Sequence, residues 1–341
     1  MTDICSLTLP ELQTQMTELG EKKFVASQIF KWLHQAKAVS FDEMTNISKS
    51  LREKLKKSYA IYGCTIEKKL VSVYDKTVKY LFRLHDGERI ESVVMHYKYG
   101  HTICVSSQVG CKMGCTFCAS GIAGFVRDLL PGEILSQIYT AERDLGITIS
   151  HIVMMGVGEP LDNYDNVLCF LRLVTDENGK RLSMRNISLS TCGIVPGIYR
   201  LLEENLQLTL SVSLHAPNDE IRRKTMPVAK RYSMEELLGA CRDYTARTHR
   251  RISFEYAMIS GVNDSDENAR ELARRLRGML CHVNLIPVNS VKERDYVKSS
   301  AERMKSFISV LENNHINVTV RRTLGSDINA SCGQLRRGEI L

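Results

Sequence analysis

From residue 131 to residue 321 the chain alternates helical and extended periodicity almost without interruption, and this rhythm leaves few folds open. Apolar residues at helical spacing run over 131–145, 166–174, 196–204, 234–246, 266–277 and 300–313. Short strand-type runs separate them at 151–155, 187–190, 208–214, 252–258, 282–286 and 318–321. A strand, an amphipathic helix and a second strand form the parallel crossover unit, which buries both faces of its sheet. About six such units imply an α/β fold, a βα barrel that is partial or complete, with polar strand-end residues gathered at one mouth.

The residues ahead of this region behave differently. Positions 8–58 read as helical, with Val25, Ile29, Trp32 and Leu33 on one face. Lys49–Lys57 holds five basic residues in nine, which taken alone a solvated helix face explains better than RNA contact does. Val78, Tyr80, Phe82 and Leu84 alternate with polar or exposed positions, Arg89–Tyr97 stays extended, and Asp86-Gly87 suits a hairpin turn. The expected division is a small helical N-terminal domain over 1–60, a β-hairpin extension over 61–99 and a barrel domain over 100–341.

No apolar run approaches the length of a membrane span, and Met1 is followed by neither a basic region nor an apolar stretch. The expected location is the cytoplasm, with no membrane partner. In that reducing compartment eleven cysteines, an odd number, do not make a disulfide framework; they are ligands, reactive thiols or small core residues. The net charge of +7 permits a nucleic-acid partner without requiring one.

Cys111, Cys115 and Cys118 form a C-x3-C-x2-C motif, with Gly110 and Gly114 to let the backbone wrap closely. Three thiolates on one loop can hold three irons of a [4Fe–4S] cubane and leave the fourth open. Structural zinc wants four closed ligands, usually two C-x2-C knuckles, and the second knuckle is missing. Gly156-Val-Gly158-Glu159-Pro160 follows an expected strand and would sit at the barrel mouth, although without the cysteine motif a plain turn is the better explanation. Ser190, Ser213, His215 and Asn289 are further polar residues at strand ends, where a pocket is expected. A lone histidine such as His215 is otherwise most often a hydrogen-bonded structural residue.

The cysteine motif, with Phe117 before its last cysteine, resembles the signature of the radical S-adenosylmethionine (SAM) superfamily. That resemblance implies SAM chelated to the open iron and a 5′-deoxyadenosyl radical as oxidant. Gly158-Glu159-Pro160 is similar to the superfamily segment that binds the SAM amino group, with Ser190, Ser213, His215 and Asn289 as further SAM contacts.

Other segments resemble one family within it, the dual-specificity RNA methyltransferases of the RlmN type. These are 28–33, Cys104–Cys111, Gly158–Pro160, Ser213–Asn218 and Arg321–Leu335, and the likeness runs from about residue 20 to the C-terminus. The family methylates C2 of adenine in 23S rRNA and in tRNA, using two SAM molecules per methyl group and an electron donor such as flavodoxin or ferredoxin. Cys332 matches the cysteine methylated on sulfur, Cys104 the cysteine that later forms a disulfide with it, and Glu91 the general base. On residue context alone Cys104 is a buried strand cysteine, Cys332 a mobile exposed thiol and Glu91 a surface strand glutamate. Arg222–Lys224, Lys230-Arg231 and Arg336-Arg337 are candidate phosphate contacts beside the N-terminal module. Three rivals remain: methylation at C8 of the same rRNA adenine, which confers antibiotic resistance; a non-catalytic iron–sulfur or zinc protein that binds RNA; and a radical SAM enzyme acting on a protein or metabolite.

Overall fold

A computed structural model describes residues 1–337. The N-terminal helices are α1 (Leu9–Glu18), α2 (Lys23–His34) and α3 (Lys49–Ser58), so the expected helical stretch is broken between 35 and 48. Thr8 and Glu11 form a capping box that starts α1. A two-residue parallel pair, β1 (Thr2–Asp3) with β2 (Tyr59–Ala60), ties the two ends of this segment together. Ile4, Leu12, Phe30 and Leu33 from this segment and Ile134, Ile138 and Phe170 from beyond it belong to one continuous apolar core.

Ten strands form the main sheet. Three antiparallel strands begin it: β3 (Thr65–Val71), β4 (Val78–Arg83) and β5 (Arg89–Tyr97). β6 (Gly100–Cys104) pairs antiparallel with β5 and parallel with β9 (Ile149–Met154), and so joins the extension to the barrel strands. Between β6 and β9 lie the short hairpin β7 (Gln108–Gly110) and β8 (Phe125–Asp128) and helix α4 (Pro131–Leu145). The parallel run continues through β10 (Ile187–Thr191), β11 (Thr209–Ser213), β12 (Ile252–Met258), β13 (Cys281–Pro287) and β14 (Asn317–Val320). The crossovers carry α5 (Tyr164–Thr175), α6 (Val195–Glu203), α7 (Asp219–Thr225) with α8 (Met234–Thr248), α9 (Asp266–Leu276) and α10 (Ala301–Asn313).

Two facts decide between a partial and a complete barrel. Among the described residues β14 is an edge strand and does not pair with β6, so the ring is open. Yet Arg321, just past β14, lies 3.4 Å from the Met155 sulfur just past β9. Those strands are five places apart in the sheet, about 24 Å if it were flat. The parallel strands therefore curl round a common interior without closing.

The alternation expected on β4 is not what the structure holds. Lys79 and Leu81 are buried along with Val78, Tyr80 and Phe82, because both faces of this strand are covered. On one side Tyr80 donates to Asp144 of α4; on the other Lys79 donates to the Asn329 carbonyl of the C-terminal tail. Glu91 is likewise fully buried rather than a surface glutamate, since its charge has partners inside the fold.

Candidate active site

The loop after β7 carries the three motif cysteines. Gly110 has φ +77°, and a Cβ there would come within 1.8 Å of the Gly124 carbonyl oxygen, so only glycine lets β7 turn into this loop against β8. Cys111, Cys115 and Cys118 line one cavity together with Gly158, Glu159, Ser190, Ser213, His215, Asn289 and Cys332. Ten of the twelve residues singled out in the sequence therefore share a single space at the C-terminal ends of the strands.

Several of them are already engaged. Glu159 is buried and accepts from the backbone N–H groups of Leu161 and Cys192, at 3.1 and 2.7 Å, which fastens the β9 turn to the end of β10. Gly158 (φ +109°) passes so close to Gln108 that a Cβ would meet that side chain at 2.7 Å. His215 accepts from the Ala257 N–H through Nδ1 at 2.8 Å, so the proton of the neutral ring sits on Nε2. Burial lowers its pKa to about 3, and Phe117 packs edge-on against it at 4.9 Å. Asn289 donates to the Cys332 carbonyl at 2.9 Å.

A second cavity adjoins the first and is lined by Cys104, Val93, Met95, Arg321 and Cys332. Cys332 and its neighbour Arg321 thus lie on the wall between the two spaces. Arg321 Nη1 is 2.9 Å from Cys332 Sγ, and Nη2 is 3.1 Å from Glu255 Oε2. Burial works against the Arg321 charge, but Cys332 and Glu255 outweigh it and hold the guanidinium firmly protonated. Burial, and then the Cys332 charge, pushes the Cys104 thiol up to about 12. Glu91 lines neither cavity. It shares a face of β5 with Val93 and Met95 and lies beneath the tail, where its carboxylate accepts from the Arg336 N–H at 2.8 Å.

Sequence reasoning missed Arg321, Glu255, Met155 and Lys79 as members of this region. Arg321 had a usable signal, being a polar residue at the end of the last strand. Lys79 had none, since a lysine on an alternating strand normally faces water. One candidate phosphate contact is corrected: Arg222 is fully buried and donates to the carbonyls of Cys192 and Leu214, which ties strand ends together.

Comparison with known proteins decides the family. Residues 2–61 match the family described as the ribosomal RNA large subunit methyltransferase N-terminal domain, and residues 105–273 match the radical SAM superfamily. A protein of Clostridium tetani called a probable dual-specificity RNA methyltransferase RlmN is 55% identical, over 99% of this chain and 96% of its own. The chain belongs to the RlmN family. A similarly named relative from Clostridium novyi is 52% identical over 100% of this chain and 99% of its own length. The crystal structure of a radical SAM methyltransferase from Sphaerobacter thermophilus superposes with a TM-score of 0.94 at 44% identity, covering 98% of this chain and 99% of that one.

An RlmN-family enzyme is a radical SAM methyltransferase that uses a [4Fe–4S] cluster and two SAM molecules per turnover. The residues fit that cluster. Among the described residues no three His, Cys, Asp or Glu side chains gather tightly enough for one metal ion. Tetrahedral zinc would need sulfurs about 3.8 Å apart around one centre. A cubane instead takes each thiolate on a separate iron, so its sulfurs stand apart. Burial, reinforced by the neighbouring thiols, pushes the Cys111 thiol up to about 12 and that of Cys115 higher still. Thiolates in such a place call for a bound cationic centre.

Proposed function

We propose that this RlmN-family chain methylates C2 of adenine in 23S rRNA and in tRNA, with the methyl group carried in transit on Cys332. The names of the relatives, dual-specificity RNA methyltransferases, and the ribosomal RNA methyltransferase match over 2–61 support RNA as the substrate. The observation that carries the reading is the position of Cys332 on the wall shared by the cluster-loop cavity and the Cys104 cavity. A side chain there can receive a group from one space and deliver it to the other.

The chemistry explains the need for a carrier. C2 of adenine is an electron-poor ring carbon and cannot displace a methyl group from SAM directly. Bound SAM and the reduced cluster would supply a 5′-deoxyadenosyl radical at Cys111, Cys115 and Cys118. In this scheme Gly158, Glu159, Ser190, Ser213, His215 and Asn289 line the SAM site. Arg321, 2.9 Å from Cys332 Sγ, holds the sulfur in place for its attack on the SAM methyl group. Methylated Cys332 then gives up a hydrogen atom to the 5′-deoxyadenosyl radical and its carbon adds to C2. Glu91 accepts the C2 proton, and the adduct radical gives one electron back to the oxidised cluster that the three cysteines would hold. The Cys104 sulfur, shedding its proton, attacks the Cys332 sulfur; the carbon leaves with the bonding pair and takes up a proton as the methyl group, and the electron donor later reduces the transient Cys104–Cys332 disulfide. Residues 1–60 serve as an RNA-binding module, 61–99 as an extension of the sheet and 100–341 as the catalytic domain, of which 338–341 lie outside the described residues. Flavodoxin or ferredoxin supplies electrons, in the cytoplasm. Among the described residues no helix is long and apolar enough to cross a membrane.

The test is anaerobic turnover of the cluster-loaded enzyme with dithionite, SAM and an unmodified 23S rRNA fragment, read by mass spectrometry of nucleosides. 2-Methyladenosine together with 5′-deoxyadenosine is the expected result. 8-Methyladenosine would move the site of methylation, and 5′-deoxyadenosine without methylated RNA would overturn the substrate.

A further inference from the structure

Lys79 and Glu91 form a buried ion pair, Nζ to Oε1 at 2.9 Å, with side chains 2% and 0% exposed. Lys79 lies opposite Val93 across the β4–β5 ladder, so Glu91, two residues along, is its diagonal neighbour on the same face. Among the described residues each side chain of the pair makes one further hydrogen bond, and both run to the same piece of chain. Lys79 Nζ donates to the Asn329 carbonyl at 2.9 Å. Glu91 Oε2 accepts from the Arg336 N–H at 2.8 Å. Between Asn329 and Arg336 lies Cys332. Asn329 itself sits at φ +50°, a left-handed turn that a carbonyl contact helps to hold.

We propose that Lys79 is a positioning residue, which with Glu91 forms a two-ended clasp that holds the Cys332 loop in the place where its sulfur is methylated. The inference rests on the reading that Cys332 receives the methyl group. The middle of the loop has its own ties to the cluster side, Ala119 N–H to the Gly333 carbonyl and Ser120 Oγ to the Leu335 carbonyl, each at 2.8 Å. The clasp fixes the two ends. It also sets an order of events. While the clasp is shut, Glu91 spends its carboxylate on Arg336 and is covered by the tail, so it cannot take a proton from adenine. The loop must let go of Glu91 before the base can work. Methyl loading therefore belongs to the shut state and RNA chemistry to the open one, with a single carboxylate serving both.

The experiment uses the cluster-loaded enzyme without RNA and compares wild type with Lys79→Met, Glu91→Gln and the double variant. The double variant removes both charges together and leaves no unpaired ion in the interior, so it keeps the fold if Lys79→Met does not. Two quantities are read: hydrogen exchange of the amides from 329 to 336 against those of β6 and β9, and the rate at which SAM methylates Cys332, followed by intact-protein mass. Exchange in the loop should rise about tenfold or more with the strands unchanged, and Cys332 methylation should slow by a similar factor. Unchanged loop protection in the double variant, or methylation of Cys332 at the wild-type rate in it, would overturn the clasp. If wild-type Cys332 takes no methyl group from SAM, the functional reading fails instead, whatever the exchange shows.

Discussion

At the scale of single residues, the site is a set of side chains whose partners assign them work. Cys332 faces the Arg321 guanidinium and Cys104 packs among Val93, Val157 and Leu335, so the two thiols have unlike surroundings although they line one cavity. Replacing Cys104→Ala should leave loading of Cys332 intact and block release, so that enzyme accumulates joined to RNA through residue 332. A denaturing gel that resists SDS and yields free protein after nuclease digestion would show it; normal turnover with no adduct would sink the thiol pairing. Much of this set was legible in the sequence because strand-end residues announce themselves: Ser190, Ser213 and Asn289 are polar after apolar runs and meet in one cavity. Lys79 was not legible, and Glu91 was legible only through the family resemblance, since its residue context alone suggests a surface glutamate. Their meaning depends on a tail 245 to 250 residues away folding over them, and no local pattern carries that information.

At the scale of elements, the cluster loop owes its shape to the β7–β8 hairpin beneath it. Gly110 supplies the left-handed turn, and Gly124, just ahead of β8, lies against it. Gly110→Ala should therefore pry the hairpin open, at a cost of about 1–2 kcal/mol for the backbone conformation alone before any clash. The expected outcome is a folded protein that binds markedly less iron after reconstitution, measured as iron per chain and as the visible charge-transfer absorbance. Wild-type iron content in that variant would show that the hairpin gives way without disturbing the thiols. The barrel helices and strands were readable to within a few residues because their periodicity is long and regular. The β7–β8 hairpin, β3 and the short helix α7 were missed: three- to seven-residue elements hold too few turns of any period to stand out.

At the scale of the whole molecule, the N-terminal helices are part of the barrel's own core. His34 of α2 is buried, with Nδ1 3.1 Å from the Tyr139 hydroxyl of α4, and Lys37 and Lys180 both pair with the buried Glu142. Burial lowers the His34 pKa to about 3, so its neutral form is the one the fold accepts. The depressed value gives stability that is full above the ordinary pKa of 6.5 and is lost as the pH falls towards 3, because the unfolded chain binds the proton more readily. Going from pH 7 to pH 5 should cost about 2 kcal/mol through this one ring. His34→Gln should lose correspondingly less between urea midpoints at the two pH values; an identical loss would mean that the ring titrates normally. The open ring of strands has a further consequence. A closed barrel is a well, reached only from its rim. Here, among the described residues, one side has no strand, and the space is walled by a tail held by side-chain and backbone hydrogen bonds rather than by a ladder. A doorway in the side suits a guest that is one bead in the middle of a long string: the bead can be presented laterally while the string passes by on both sides, and no end ever has to be threaded.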